Sequence, residues 1–134
     1  MKIRKNSASG GLTTALLVHA LQKGVIDGAI VTVMDGQRPW RTKPLLARTP
    51  EQIVESAKSK YSLCPNNAAL KDVKKNERLA VVGLPCHVHG VRKIQLYREL
   101  STIADNIVLV LGIFCGTNSS YRVTDTKLLS KLHL

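Results

Sequence analysis

Apolar and polar positions alternate in blocks along the chain rather than residue by residue. From Leu12 to Lys23 they recur at helical spacing: Leu12, Leu16, His19 and Lys23 share a face, and Ala15, Leu17, Ala20 and Leu21 widen its apolar side. Ser9 stands where a helix cap belongs, and Gly24 where a helix stops. Ile26 to Val33 reads as a strand. Asp35-Gly36 marks a turn, followed by a basic, proline-containing loop through Pro44. Thr49-Pro50-Glu51-Gln52 has the capping-box pattern and starts a helix to about Lys58. A loop runs from Ser59 to Pro65, and Asn66 or Asn67 can cap a helix to about Lys75. Arg78 to Val82 is a short apolar strand broken by Gly83-Leu84-Pro85-Cys86. His87 to Tyr97 reads as a helix, and Ile107 to Phe114 as a second continuous apolar strand ended by Cys115-Gly116. A last helix is predicted from Thr124 to Leu132.

Strands that are apolar without alternation are buried on both faces, as in parallel sheets with covering helices. Strands alternating with helices give an α/β fold, with a mixed, largely parallel sheet and helices on both faces. The 134 residues suit one domain, and 44% hydrophobic with 22% charged residues excludes a disordered tail. No apolar run approaches the ~20 residues that cross a bilayer. No apolar segment follows the basic start Met1-Lys2-Ile3-Arg4-Lys5 closely enough for a signal peptide. We therefore expect a cytoplasmic protein without a membrane span.

Charge changes the picture only partly. Twenty Lys and Arg against nine Asp and Glu give +11. The basic residues are scattered, and aromatics are only 4%, leaving little for bases to stack on. We expect no nucleic-acid partner. A basic surface that meets phosphates or an acidic partner fits better.

The three cysteines, Cys64, Cys86 and Cys115, are an odd number. With no signal peptide they point to a reducing compartment. Cys86 and Cys115 each lie just past the C-terminal end of a buried strand, where open α/β sheets collect ligands. Cys86 also opens a helix, where the dipole favours a thiolate. They are either two soft ligands of one site or small core residues. His87 and His89 lie nearby, but on a helix they point about 200° apart and lack zinc-finger spacing. Ser7-Ala8-Ser9-Gly10-Gly11 before a helix is either an anion cradle or an ordinary helix start.

Several segments, taken in order, resemble one family. They are Ser9-Gly10-Gly11 with its helix, Gly24 to Val31, Ser59-Lys60-Tyr61 followed by Pro65-Asn66, Val82 to Cys86, Gly90 to Lys93, and Leu111 to Cys115. The family is the beta subunit of coenzyme F420 hydrogenases and dehydrogenases. The resemblance implies an oxidoreductase subunit in which FAD passes electrons between a 4Fe-4S cluster and a hydride carrier such as coenzyme F420. It implies Cys86 and Cys115 as two cluster ligands, Ser9, Gly10 and Gly11 near the FAD phosphates, and Lys60 and Tyr61 beside the flavin. It also implies a partner: a hydrogenase or dehydrogenase catalytic subunit or another redox protein. His87 stands where Gln is common in the family, and Cys64 where Ser is common. Family members carry a later Cys-x-x-Cys pair. Residues 1–134 are therefore expected to be a single partial domain, resembling the N-terminal part of the beta subunit and truncated relative to it. A cluster normally takes four cysteines, so the chain alone is expected to be incomplete. Two other readings stay open at this point: a non-catalytic α/β binding or docking module, and a zinc or thiol redox protein.

Overall fold

The structure is a computed structural model, and it describes residues 3–38, 40–117 and 119–120. Four strands form one sheet: β1 (Gly28–Met34), β2 (Thr42–Ala47), β3 (Leu79–Gly83) and β4 (Ile107–Gly112). Their order is β2-β1-β3-β4. β1 and β2 pair antiparallel, whereas β1–β3 and β3–β4 are parallel. The α/β fold is mixed and largely parallel. The helices are α1 (Leu12–Gln22), α2 (Pro50–Glu55) and α3 (Pro85–Leu96), with a 3-10 helix at Asn66–Asp72.

Each face of the sheet is covered. On one, Leu17 and Val18 of α1 and Ile53 of α2 pack on Ala29, Val31, Ala47 and Ala80. On the other, Ala69, Leu70 and Val91 pack on Ile30, Leu46, Leu79 and Val81. Adjacent β1 residues thus serve opposite cores, which is why the strand is apolar throughout. β4 carries a bulge: Leu79 pairs with Ile107 and Ala80 with Leu109, leaving Val108 unmatched and half-exposed.

Several local expectations are corrected. Residues 42–44, expected as the end of a loop, belong instead to β2. Its Pro44 is tolerated because β2 is at the edge of the sheet. The face of α1 that packs inward carries Thr14, Leu17 and Val18, so Leu12 and Leu16 are exposed. Ser9 does not cap α1. Gly11 is the N-cap, left-handed at φ 83°, with no side-chain cap bond. A side chain there would strike Ser7 and Ile3, so glycine is required. The C-terminus of α1 is a Schellman turn, with Gly24 N–H donating to Leu21 O and Val25 N–H to Ala20 O.

α2 has the expected capping box of Thr49 and Gln52. It stops before Lys58, whose backbone is left-handed at φ 75°. The segment after Pro65 is 3-10 rather than α-helical, and no side chain caps it, because Asn66 turns into the sheet instead. The expected helix at 124–132 lies outside the described residues. No helix among the described residues is long and apolar enough to cross a membrane.

Candidate functional site

A cleft of about 370 Å³ opens at the C-terminal edge of the parallel strands. Its floor is the end of β1 and the Val82-Gly83-Leu84 turn after β3. α1 forms one wall through Thr13, Thr14 and Leu17, the 56–62 segment a second, and residues 113–117 after β4 a third. The second and third walls are tied together: Ser119 N–H donates to Tyr61 O at 2.7 Å, and Ser62 and Ser119 form an isolated parallel bridge.

The floor depends on Asn66, which is 1% exposed. Its carboxamide donates to Val82 O at 2.6 Å and accepts from Thr32 Oγ1 at 3.1 Å. It therefore ties the ends of β1 and β3 together beneath the cleft. His87 does similar work at the α3 start. Leu84 N–H donates to His87 Nδ1 at 3.2 Å, the reach-back half of a capping box. Nε2 therefore carries the ring proton and donates to Cys64 O at 2.9 Å. Both nitrogens are engaged, so His87 is placed as a strut rather than as a metal ligand.

Lys60 lines the cleft. Its ammonium donates to Ser56 O at 2.7 Å, Ala57 O at 2.8 Å and Lys58 O at 3.1 Å. It thus caps the C-terminus of α2 from the side. Burial pushes its pKa down, against the opposing pull of the Cys64 thiol. Tyr61 is exposed at the rim. Cys64 is half-buried in the wall, where burial pushes its thiol pKa up and hydrogen bonds with Thr32 and Thr42 partly offset that. Its Sγ lies 3.9 Å from Asn66 Oδ1.

Cys86 and Cys115 are both exposed. Gly83 of β3 pairs with Gly112 of β4, and each cysteine sits three residues beyond its glycine. Ile113 N–H donates to Gly83 O at 2.9 Å, extending the pairing past the strand ends. The two cysteines therefore follow the paired strand ends at the same distance along the sequence. Cys115 lines the cleft, and Cys86 starts α3 outside its wall. Among the described residues no three His, Cys, Asp or Glu side chains gather as a metal site. Two exposed thiols are too few for a closed zinc site, which takes four ligands, and a 4Fe-4S cluster normally takes four cysteines.

Of the expected flavin residues, Lys60 and Tyr61 line the cleft, whereas Ser9, Gly10 and Gly11 do not. Thr13, Thr14, Lys58 and Phe114 also line it, and sequence reasoning alone assigns them no such role. A signal for the threonines exists: Thr13 and Thr14 are four and three residues before Leu17, on its side of the helix. Nothing in the sequence marks Lys58, whose left-handed backbone carries no residue signature.

Comparison with known proteins places the whole chain. Residues 1–71 match the family described as coenzyme F420 hydrogenase/dehydrogenase, beta subunit N-term. Residues 76–134 match the companion family, described as the C terminus of that same beta subunit. The sheet bridges the two matched regions, since β1 in the first pairs with β3 in the second. The chain is 36% identical to the coenzyme F420 hydrogenase subunit beta of Methanothermobacter thermautotrophicus, over 99% of this chain and 48% of that protein. It is 40% identical to a coenzyme F420-dependent sulfite reductase of Methanocaldococcus jannaschii, over 84% of this chain and 20% of that one. A chain in the solved F420-reducing NiFe hydrogenase complex of Methanosarcina barkeri superposes with a TM-score of 0.86 at 32% identity, over 99% of this chain and 47% of that chain. The chain spans about half the length of the hydrogenase beta subunits it matches.

Proposed function

The chain belongs to the coenzyme F420 hydrogenase/dehydrogenase beta subunit family, and from that premise we propose that it is the flavin-side part of an oxidoreductase subunit. Its role is to pass electrons between a 4Fe-4S cluster and a hydride carrier such as coenzyme F420. It does so beside a hydrogenase or dehydrogenase catalytic subunit or another redox partner. The relatives' names support the F420 side of this reading. When bound, FAD supplies the two-electron hydride chemistry and the cluster the one-electron steps.

The observation that carries the reading is the matched placement in sequence of Cys86 and Cys115 after paired strand ends, beside a cleft at the sheet's ligand-collecting edge. In this reading the two thiolates hold two irons. Cys64, hydrogen-bonded into the wall, is a structural thiol. The sequence has three cysteines in all, so further ligands come from outside it. Lys60 and Tyr61, which line the cleft, would be the residues that hold the flavin ring. Lys60 acts there as a fixed positive charge, because its three N–H bonds are already spent on backbone carbonyls. Such a charge favours an anionic reduced ring. In the same reading Ser9, Gly10 and Gly11, before the start of α1, would approach the FAD phosphates.

Anaerobic reconstitution with FAD, ferrous iron and sulfide, with and without a hydrogenase-type partner, tests the proposal. Retained flavin absorbance supports it. So does bound iron that Cys86→Ser and Cys115→Ser each lower without lowering flavin. Retention of neither flavin nor iron overturns it.

A further inference from the structure

His87 is bonded more fully than a helix start requires. The N-cap of α3, Leu84, has no side-chain acceptor, so the bond from Leu84 N–H to His87 Nδ1 at 3.2 Å is what holds this turn from a side chain. A cap needs only that one ring nitrogen. The other, Nε2, donates to Cys64 O at 2.9 Å, in the wall of the cleft. Asn67 Nδ2 donates to the His87 carbonyl at 3.0 Å, so the 3-10 helix holds the backbone here as well. The turn beneath is fitted to the same residue: a Cβ on Gly83 would lie 2.6 Å from His87 Cβ. The imidazole therefore joins two segments, the wall that carries Cys64 and the first helical turn that carries Cys86. Cys86 is exposed, so its place is set by the turn it rides on rather than by packing around it.

We propose that His87 is the positioning residue of the Cys86 thiol. By bridging Leu84 N–H to Cys64 O, it fixes where that thiol stands relative to the cleft and to Cys115. Groups bonded around a ligating residue set its orientation before the metal arrives. This role rests on the reading of Cys86 as an iron ligand, whereas the bridge itself rests on the hydrogen bonds alone. Glutamine has the same pair of functions in one plane: Oε1 can accept from Leu84 N–H while Nε2 donates to Cys64 O. Leucine keeps the bulk and makes neither bond. Asparagine keeps a polar group near Leu84 N–H and is too short for Cys64 O.

The test places nitroxide labels on Cys86 and Cys115 of the full chain and reads the distance between them by pulsed double electron–electron resonance. Cys64→Ser in all samples removes the third thiol and leaves the carbonyl that His87 uses. His87→Leu and His87→Asn are each expected to shift and broaden the distance distribution, and His87→Gln to keep the wild-type one. Thr49→Ala, which removes the cap of α2 far from this turn, controls for lost stability and should leave the distribution unchanged. Reconstituted iron, measured without Cys64→Ser, should be lower in the Leu and Asn variants and retained in the Gln variant. A distribution indifferent to both Leu and Asn overturns the proposal, and so does one that Gln fails to keep. A wild-type chain that binds no iron overturns the cluster reading, and the label distances then still decide whether His87 positions Cys86.

Discussion

At the scale of single residues, the cleft floor hangs on one carboxamide. Asn66 bonds Val82, 16 residues on, and Thr32, 34 residues back. Asn66→Leu would fill similar space but strand the Val82 carbonyl and the Thr32 hydroxyl. The expected cost is about 2–3 kcal/mol, read as a lower urea midpoint at unchanged slope. From the sequence, Asn66 looks like a helix cap, because the Asn66-Asn67 pair after Pro65 and before Ala68-Ala69-Leu70 offers a cap at either position. Local rules see a few residues, and the partners that claim this side chain lie far outside that window. Lys58 is invisible for a related reason. A left-handed lysine is produced by the bonds around it, here those of Lys60, and not by any preference of its own.

At the scale of elements, strands buried on both faces are legible in β1 and β3, which fill two cores, whereas β4 is as apolar in sequence but lies at the sheet edge with only Ile107 buried. β2 is not legible. Its Lys43 and Pro44 look like loop residues, and only pairing with β1 makes a strand of them. Its neighbour β1 is fastened to β3 at the other end by an ion pair. Arg78 Nη2 lies 2.9 Å from Asp27 Oδ1, and the Arg78 amide donates to Asp27 Oδ2 at 2.8 Å. The side-chain bond from Arg78, more than its charge alone, holds the Asp27 pKa down at about 2. In the unfolded chain an Asp titrates near ~3.9. Between those values the folded state binds fewer protons than the unfolded one. The pair's contribution is therefore whole above about pH 4 and is lost as pH falls toward 2. Asp27→Asn should be slightly less stable than wild type at neutral pH. That difference should close on acidification, as followed by urea midpoints from neutral pH down to about pH 2.

At the scale of the whole molecule, strand order and register are out of reach of any reading along the chain, because they are set by pairings between distant segments. The matched placement of Cys86 and Cys115 can be anticipated from each strand's own end, but their common register needs Gly83 opposite Gly112. Charge shows the same division. The +11 balance is plain from composition, while the three carbonyls that occupy the Lys60 ammonium are not. The cleft draws its walls from residues spread between 13 and 117. The β1–β2 hairpin, by contrast, closes within residues 28–47. Chain segments so far apart come together late in folding. A molecule seated among them therefore clamps contacts that are absent from the folding barrier, and it acts as a brake on opening rather than an aid to closing. In stopped-flow denaturant series, saturating FAD should lower the unfolding rate and leave the refolding rate where it was. The lifetime of the native state would then be set by occupancy of the cleft.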